Sequence, residues 1–261
     1  MCPQSYYDVT EIAGEGITRV QLRRQVERYR WATAYCSGKD VFEVACGAGA
    51  GLGMLARIAR RVQGGDIDST ILSTARCTYG GRIPLQVCDA EKMPLDDASL
   101  DVVILFEAIY YLARADRFVA ECRRVLRPGG RVLVATANKD LYDFTPSPFA
   151  HRYYNAGELA GLFAAYGFDS EFFGGSAIAV AGLLYRVLRP IKALATKLNL
   201  MPKTMVGKQW LKRMIFGALV EMPRELSGEE ATYEEPERIA PTADVKHHVL
   251  YCVATRLDQA G

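Results

Sequence analysis

The sequence has 261 residues, of which 50% are apolar and 24% are charged. This length and composition suit one domain with a large core, with or without an elaboration of it. The formal net charge of +2 is too balanced to indicate a nucleic-acid partner. No apolar run reaches the roughly 18 residues that a membrane span requires.

The cysteines and histidines show no pattern of a metal centre or a disulfide framework. The seven cysteines form no C-x-x-C pair, and the three histidines have no ligand spacing. We therefore predict no metal. With no secretory signal apparent at the start, the scattered cysteines favour reduced thiols and a cytoplasmic location.

Residues 1–38 precede the first strand and are predicted to form a helical cover. Helical spacing extends from Thr18 to Cys36 and ends at Ser37 and Gly38, which suit a helix stop. Four residues of this region are candidates for ligand contact, with core packing as the alternative for each: Tyr6, Tyr7, Arg30 and Trp31.

An apolar strand, Val41 to Ala45, runs into a glycine-rich turn and then a predicted helix, Met54 to Val62. Glycines allow close approach of the backbone to a ligand, and a helix N-terminus offers free N–H groups. The dinucleotide pattern G-x-G-x-x-G fails because Leu52 or Met54 occupies its sixth position, and no Walker lysine is present. The turn therefore predicts a nucleotide-type ligand of another kind.

The residues around this turn resemble the first motif of the class I S-adenosylmethionine-dependent methyltransferases, of the type 11-like group. That motif is an acid, then three glycines at alternate positions; Glu43, Ala45, Gly47 and Gly49 follow it, with alanine in place of the first glycine. The resemblance implies that S-adenosylmethionine contacts these four residues. It also implies an α/β, Rossmann-like, doubly wound and mostly parallel sheet of seven strands in the order 3-2-1-4-5-7-6.

Two further segments carry the resemblance to the cofactor. A carboxylate at the tip of the second strand accepts hydrogen bonds from ribose hydroxyls, a role that falls to Asp66 with Ile67 beside it. The neighbouring Asp68 is instead a candidate N-cap for a helix from Thr70 to Thr78. After a third strand, Ile83 to Val87, the segment beginning with Asp89 and Ala90 resembles the adenine-binding segment of the family.

The nearly continuous apolar run from Leu100 predicts a central parallel strand buried on both faces. Its carboxyl end must face the ligand crevice, because open α/β sheets bind ligands there. Phe106 is predicted beside the cofactor. Glu107 and Tyr111 are candidate acceptor contacts, and Tyr110 is a candidate catalytic residue, with packing as the alternative for each tyrosine. The absence of an Asp/Asn-Pro-Pro-Tyr/Phe segment here disfavours methylation of nucleic-acid adenine.

A long irregular loop, residues 137–154, is predicted between the fifth strand and a helix from Ala156 to Tyr166. Long loops inside compact domains are usually functional. His151 is the candidate general base because imidazole titrates near neutral pH, with a bracing role as the alternative. Tyr153 is a further candidate for acceptor contact.

Residues 176–245 form a predicted insertion between the sixth strand, Ser170 to Phe173, and the seventh, Val249 to Thr255. Its first part is basic and its second part is acidic. We expect a cap or lid over residues 39–175, the predicted cofactor-binding core, with residues 246–261 completing the sheet and the tail. A contact with an anionic membrane surface is the alternative for the amphipathic stripe in the basic part.

The sequence thus predicts an enzyme that moves a methyl group from S-adenosylmethionine to a small-molecule acceptor, most simply a hydroxyl of secondary metabolism. Nitrogen, sulfur and carbon acceptors remain open. Two alternatives also remain: a lipid or lipid-linked acceptor at a membrane surface, and a cofactor-binding regulatory module without turnover.

Overall fold

The computed structural model describes residues 11–178 and 219–258. The helices are α1 (Arg19–Cys36), α2 (Leu52–Ala56), α3 (Ser69–Tyr79), α4 (Ala115–Val125) and α5 (Ala156–Ala164). The strands are β1 (Gly16–Ile17), β2 (Asp40–Val44), β3 (Arg61–Asp66), β4 (Leu85–Val87), β5 (Leu100–Phe106), β6 (Leu126–Ala137), β7 (Phe168–Ala177), β8 (Val220–Glu221), β9 (Glu237–Ile239) and β10 (His247–Arg256). A 3-10 turn covers Ile109–Tyr111.

The main sheet has eight strands in the order β4-β3-β2-β5-β6-β10-β7-β9. The pairs from β4 to β6 are parallel, whereas β10, β7 and β9 pair antiparallel. Without β9 this is the predicted order 3-2-1-4-5-7-6. The doubly wound α/β class is therefore confirmed.

Two apolar layers cover the two faces of this sheet. Residues of α1, α2 and α3 pack on one face, where Val41, Ile104 and Leu133 alternate inward. Residues of α4 and α5 pack on the other face, against Phe42 and Val103. Both faces are thus buried, which explains why the central strands are almost wholly apolar.

The N-terminal cover is fixed at both ends of its helix. Thr18 caps α1, since its hydroxyl accepts a hydrogen bond from the Gln21 N–H at 3.1 Å and the Gln21 side-chain oxygen accepts one from the Thr18 N–H at 3.0 Å. Just before the helix, β1 pairs antiparallel with β8. In the second half of α1, Trp31 packs on Tyr251 of β10 with ring centroids 4.7 Å apart. The cover is therefore joined to the sheet.

Some element boundaries differ from the predictions. The helix predicted over Met54 to Val62 is wrong in extent, because α2 ends at Ala56 and Arg61 already begins β3, paired with Asp40 of β2. The expected count of seven strands omitted β9, which pairs with β7 from within the segment predicted as a cap. The loop expected over 137–154 is confirmed, since the described elements resume only at Ala156.

The described end of the predicted insertion packs against the turn that follows β2. The Leu226 N–H donates to the Ala50 carbonyl at 2.8 Å, and the Glu225 carboxylate lies 2.7 Å from the Arg82 guanidinium. The basic part of the insertion over 179–218 lies outside the described residues, as do Tyr6 and Tyr7. In the part of the chain that the structure describes, no helix is long and apolar enough to cross a membrane.

Candidate active site

A cavity of about 670 Å³ opens at the carboxyl ends of β2, β3, β4 and β5. Its volume is in the range of small-molecule and cofactor sites. The predicted site residues that line it are Glu43, Ala45, Gly47, Gly49, Asp66, Ile67, Asp89, Ala90, Phe106, Glu107, Tyr110, Tyr111 and His151. Residues predicted from separate motifs are therefore brought together in one space.

The turn after β2 is held in a conformation that normally requires glycine. Ala45, Gly47 and Gly49 have φ values of 54°, 57° and 76°. The Tyr79 hydroxyl braces the turn, because it donates to the Gly49 carbonyl at 2.7 Å and accepts from the Gly53 N–H at 3.0 Å. The departure from the family pattern at Ala45 thus falls on a residue with left-handed backbone geometry.

Asp66 ends β3 beside this turn and is 7% exposed. Its carboxylate accepts the Gly47 N–H at 2.8 Å and the Asp68 N–H at 2.9 Å. Burial raises the pKa of Asp66, and the bonds from these N–H groups oppose that effect. Asp68, as predicted, caps α3 by accepting from the Thr70 N–H.

Asp89 and Ala90 follow β4 at the next position along the sheet edge. Asp89 is exposed, and its carboxylate accepts the Glu91 N–H at 2.9 Å. Ala90 is 6% exposed and packs in the core beneath the cavity. The Asp89 side chain is thus fixed by its own turn at the cavity wall.

Glu43 is the most deeply buried acid of the cavity, at 1% exposure. One carboxylate oxygen, Oε1, accepts the Tyr29 hydroxyl at 2.7 Å. The other oxygen, Oε2, is buried and has no hydrogen-bond partner among the described residues. Burial is the main cause that raises the pKa of Glu43 to about 8, against the opposing effects of Tyr29 and Arg28.

A further carboxylate, that of Glu107, directly follows β5. Glu107 has φ of +50°, a conformation that is costly for a residue with a side chain and that occurs often at functional sites. Its Oε2 accepts the Tyr110 hydroxyl at 3.1 Å, and its Oε1 lies 3.6 Å from a guanidinium nitrogen of Arg28. Burial and the neighbouring Glu107 raise the pKa of Tyr110, so its hydroxyl stays protonated at neutral pH.

The loop predicted to carry the acceptor site contributes less than expected. His151 lies at the cavity wall, and its backbone N–H donates to the Tyr110 carbonyl at 2.8 Å. Tyr153 does not line the cavity, contrary to the prediction of acceptor contact. It stacks on Tyr110 with centroids 4.4 Å apart and accepts a hydrogen bond from the Ser147 N–H. Tyr153 therefore supports Tyr110 from behind.

Comparisons with known proteins agree with this geometry. Residues 42–134 match a family described as a methyltransferase domain. A probable S-adenosylmethionine-dependent methyltransferase of Mycolicibacterium smegmatis is 40% identical over 154 residues, which are 58% of this chain and 60% of that protein. The chain contains a class I S-adenosylmethionine-dependent methyltransferase domain. S-adenosylmethionine is the cofactor of this methyltransferase domain.

Two further similarities bear on the methyltransferase domain. A phthiotriol/phenolphthiotriol dimycocerosates methyltransferase of Mycobacterium tuberculosis is 40% identical over 96 residues, 36% of this chain and 36% of that protein. A solved methyltransferase from Thermotoga maritima, described as a possible histamine N-methyltransferase, has a TM-score of 0.57 at 14% identity, covering 88% of each chain. This second likeness shows the fold alone. The chain spans 60% or less of the curated relatives named here.

The residues of the methyltransferase domain fit the cofactor. S-adenosylmethionine carries a positive charge on its methionyl part and hydroxyls on its ribose, and the cavity offers buried carboxylates for both. The unpartnered oxygen of Glu43 is an acceptor that no described residue uses, and the carboxylate of Asp66 lines the same cavity. Ala45 and Gly47, both with positive φ, line the same space.

One wall of the cavity in the methyltransferase domain was not predicted from the sequence. Side chains on one face of α1 line it, with spacing i, i+3, i+4 and i+7: Gln21, Arg24, Gln25 and Arg28. The predicted candidates lie elsewhere, because Arg30 points at Tyr233 and Trp31 is buried in the core. The polar residues at helical spacing were visible in the sequence, but they resemble an ordinary solvated face. Only the packing of α1 across the sheet end distinguishes the two.

Proposed function

We propose that the protein transfers a methyl group from S-adenosylmethionine to a hydroxyl of a small-molecule acceptor. One observation carries this proposal: the cofactor residues of β2, β3 and β4 share a single cavity with the Glu107–Tyr110–Arg28 group at β5. A site for binding the cofactor alone would not require that group.

The order of the strands supports a division of the cavity between cofactor and acceptor. Asp89 follows β4, Asp66 ends β3, Glu43 lies in β2 and Glu107 follows β5, and these four strands are neighbours in that order. Residues suited to adenine, ribose and the methionyl part therefore occur in sequence along the sheet edge. The end of β5 is then left for the acceptor, as expected for ligands that bind at the carboxyl ends of strands.

Within the acceptor part, Glu107 is the group best suited to take a proton. Tyr110 stays protonated and uses its proton in the bond to Glu107, so we assign it a positioning role in place of the catalytic role predicted from the sequence. The guanidinium of Arg28 lies 3.6 Å from Oε1 of Glu107 and helps to hold this carboxylate in the cavity. His151 is the second candidate base, since it lines the same cavity.

When bound, S-adenosylmethionine supplies an electrophilic methyl group, so the acceptor oxygen bonds to that carbon as the carbon–sulfur bond breaks and its electrons remain on sulfur. Glu107 accepts the hydroxyl proton. Arg28 and Tyr110 hold the carboxylate in place while this occurs, and the aromatic walls exclude water. The contribution required of the chain is mainly positioning.

Transfer of label from methyl-labelled S-adenosylmethionine to a panel of phenols, catechols, sugars and amines tests this function. We expect products from hydroxyl acceptors, and Glu107→Gln is expected to lower kcat by about 10²- to 10⁴-fold with unchanged cofactor affinity. His151→Gln is the comparison variant. A large loss in His151→Gln with normal turnover in Glu107→Gln would move the base to the histidine. Cofactor binding without transfer to any member would favour the regulatory module.

A lipid or lipid-linked acceptor is the second candidate. The M. tuberculosis relative is named for a lipid substrate class, and the loop beside His151 exposes Tyr142 (69%) and Phe149 (40%). Exposed aromatic side chains of this kind insert readily at membrane interfaces. Flotation with anionic vesicles tests this candidate. Binding that falls in a Tyr142→Ser/Phe149→Ser double variant would support it, and a protein that stays at the bottom of the gradient would exclude it.

A further inference from the structure

The contact between Tyr29 and Glu43 joins the N-terminal helix to the cofactor turn. Tyr29 is 5% exposed, and its ring packs edge-on against Phe106 with centroids 5.4 Å apart. The ring also fills the space beside Gly51, where an added Cβ would overlap it. Its hydroxyl can therefore hardly move, and it donates to Glu43 Oε1 at 2.7 Å.

This contact leaves Glu43 with one satisfied and one free oxygen. Oε2 is buried without a hydrogen-bond partner among the described residues, and Glu43 lines the cavity. A buried acceptor without a donor is costly unless a ligand supplies one. The methionyl ammonium of S-adenosylmethionine is a charged donor of the kind that this oxygen lacks.

We propose that Tyr29 is a positioning residue of the cofactor site, which holds Glu43 so that its free oxygen receives the methionyl ammonium, and that cofactor binding displaces a proton from Glu43. The inference rests on the cofactor assignment, which is part of the proposed function, and not on the acceptor. The positioning residue itself lies outside the motif resemblance, since Tyr29 precedes the first motif.

Several titratable groups surround Glu43 and bear on its protonation. They are Arg28, Tyr29 and Cys36 of α1, Cys46 of the turn, Asp66 of β3 and Tyr79 of α3. Burial favours the protonated form of Glu43, the hydrogen bond from Tyr29 and the charge of Arg28 favour the carboxylate, and Asp66 favours the protonated form. The balance raises the pKa of Glu43 to about 8, so free Glu43 is mostly protonated at pH 7.

Cofactor binding is then expected to release protons below pH 8 and to take up protons above it. Free α-amino groups titrate near pH 7.7–8, so Glu43 and the ammonium together hold nearly two protons at pH 7 and almost none at pH 9. The bound pair holds one. Binding therefore releases about 0.8 proton at pH 7 and takes up about as much at pH 9, with affinity highest near pH 8.

Calorimetric titration in buffers of different ionisation enthalpy measures this proton count. The two probes are S-adenosylmethionine and 5′-methylthioadenosine, which has the adenosine half but no ammonium. Protons linked to Asp66 appear with both probes, whereas those linked to Glu43 appear only with the first. At pH 7, where the free ammonium is already mostly protonated, Glu43→Gln is expected to remove most of the difference between the probes.

Tyr29→Phe removes the hydroxyl and keeps the ring. We expect about tenfold weaker S-adenosylmethionine binding at pH 7, a deficit that shrinks as the pH rises because Glu43 is ionised in both proteins at high pH. Tyr251→Phe is the matched control, since the Tyr251 hydroxyl is also buried but has no hydrogen-bond partner among the described residues. It should bind as the wild type does.

Either of two results would overturn the inference. One is an equal proton count for the two probes at pH 7. The other is a deficit in Tyr29→Phe that is the same at every pH, which a purely structural role would produce. If the wild-type protein does not bind S-adenosylmethionine, the cofactor assignment itself is refuted. Binding with the expected protons but no methyl transfer would refute only the proposed reaction.

Discussion

At the scale of single residues, Ala45 is the clearest source of backbone strain. Its φ of +54° costs a non-glycine residue about 1 kcal/mol or more. We therefore expect Ala45→Gly to raise the free energy of unfolding by up to about 1 kcal/mol, measured by urea denaturation. Ala48→Gly, three residues on and without positive φ, is the control and should lose about 0.5–1 kcal/mol. Equal losses in both variants would mean that Ala45 carries no such strain.

The grouping of the candidate cofactor residues in one cavity could be predicted from the sequence, because each lies at or just after the end of a strand, and parallel strands bring their carboxyl ends together. Which of the tyrosines line the cavity could not be predicted from the sequence. Tyr110, Tyr111 and Tyr153 are equivalent in the sequence, but only two of them reach the cavity, and stacking decides which. Tyr29 lacked any signal, since its role depends on the path of α1 across Gly51. Glu107 was recognised as a contact, but its partners were not.

At the scale of elements, α1 supplies a wall of the cavity. The beginning of this helix carries Gln21 and Gln25, which line that wall. We expect Thr18→Ala to lower the free energy of unfolding by about 1 kcal/mol, because it removes the N-cap that Gln21 completes. Amide hydrogen exchange should show faster exchange in the first turn of α1. Thr33→Ala, in the second half of the same helix, is the control and should be neutral or slightly stabilising. Identical exchange in both variants would argue against the cap.

Elements with a strong pattern were predicted well, and those without one were missed. The helices α3 and α5 match the sequence predictions to within one or two residues, and β5 begins at the predicted Leu100. By contrast, β9 is three residues long and largely polar, so it forms only because β7 offers an open edge. The early end of α2 likewise depends on the pairing of Arg61 with Asp40, a contact between strands that local spacing does not reveal.

At the scale of the whole molecule, the buried carboxylate of Glu43 makes the stability of the cofactor-free protein depend on pH. The folded-state pKa of about 8 lies above the ordinary value of 4.5, so the folded protein binds more protons than the unfolded chain between these pH values. Stability therefore falls as the pH rises through this window, by at most about 1.4 kcal/mol per pH unit for this group. The raised pKa values of Asp66 and Glu27 add to the same slope.

Glu43→Gln should remove this contribution while keeping the shape of the side chain. As the pH rises from 5 to 7, we expect the free energy of unfolding of the variant to increase by about 2–3 kcal/mol relative to that of the wild type, measured by urea unfolding at each pH. Glu121→Gln is a control of opposite sign, because the hydrogen bond from Arg124 lowers the pKa of Glu121. That variant should lose stability at pH 7, and the loss should fade as the pH falls through the lowered pKa. If Glu43→Gln leaves the pH slope unchanged, Glu43 is already ionised in the free protein, and no proton remains for the cofactor to displace.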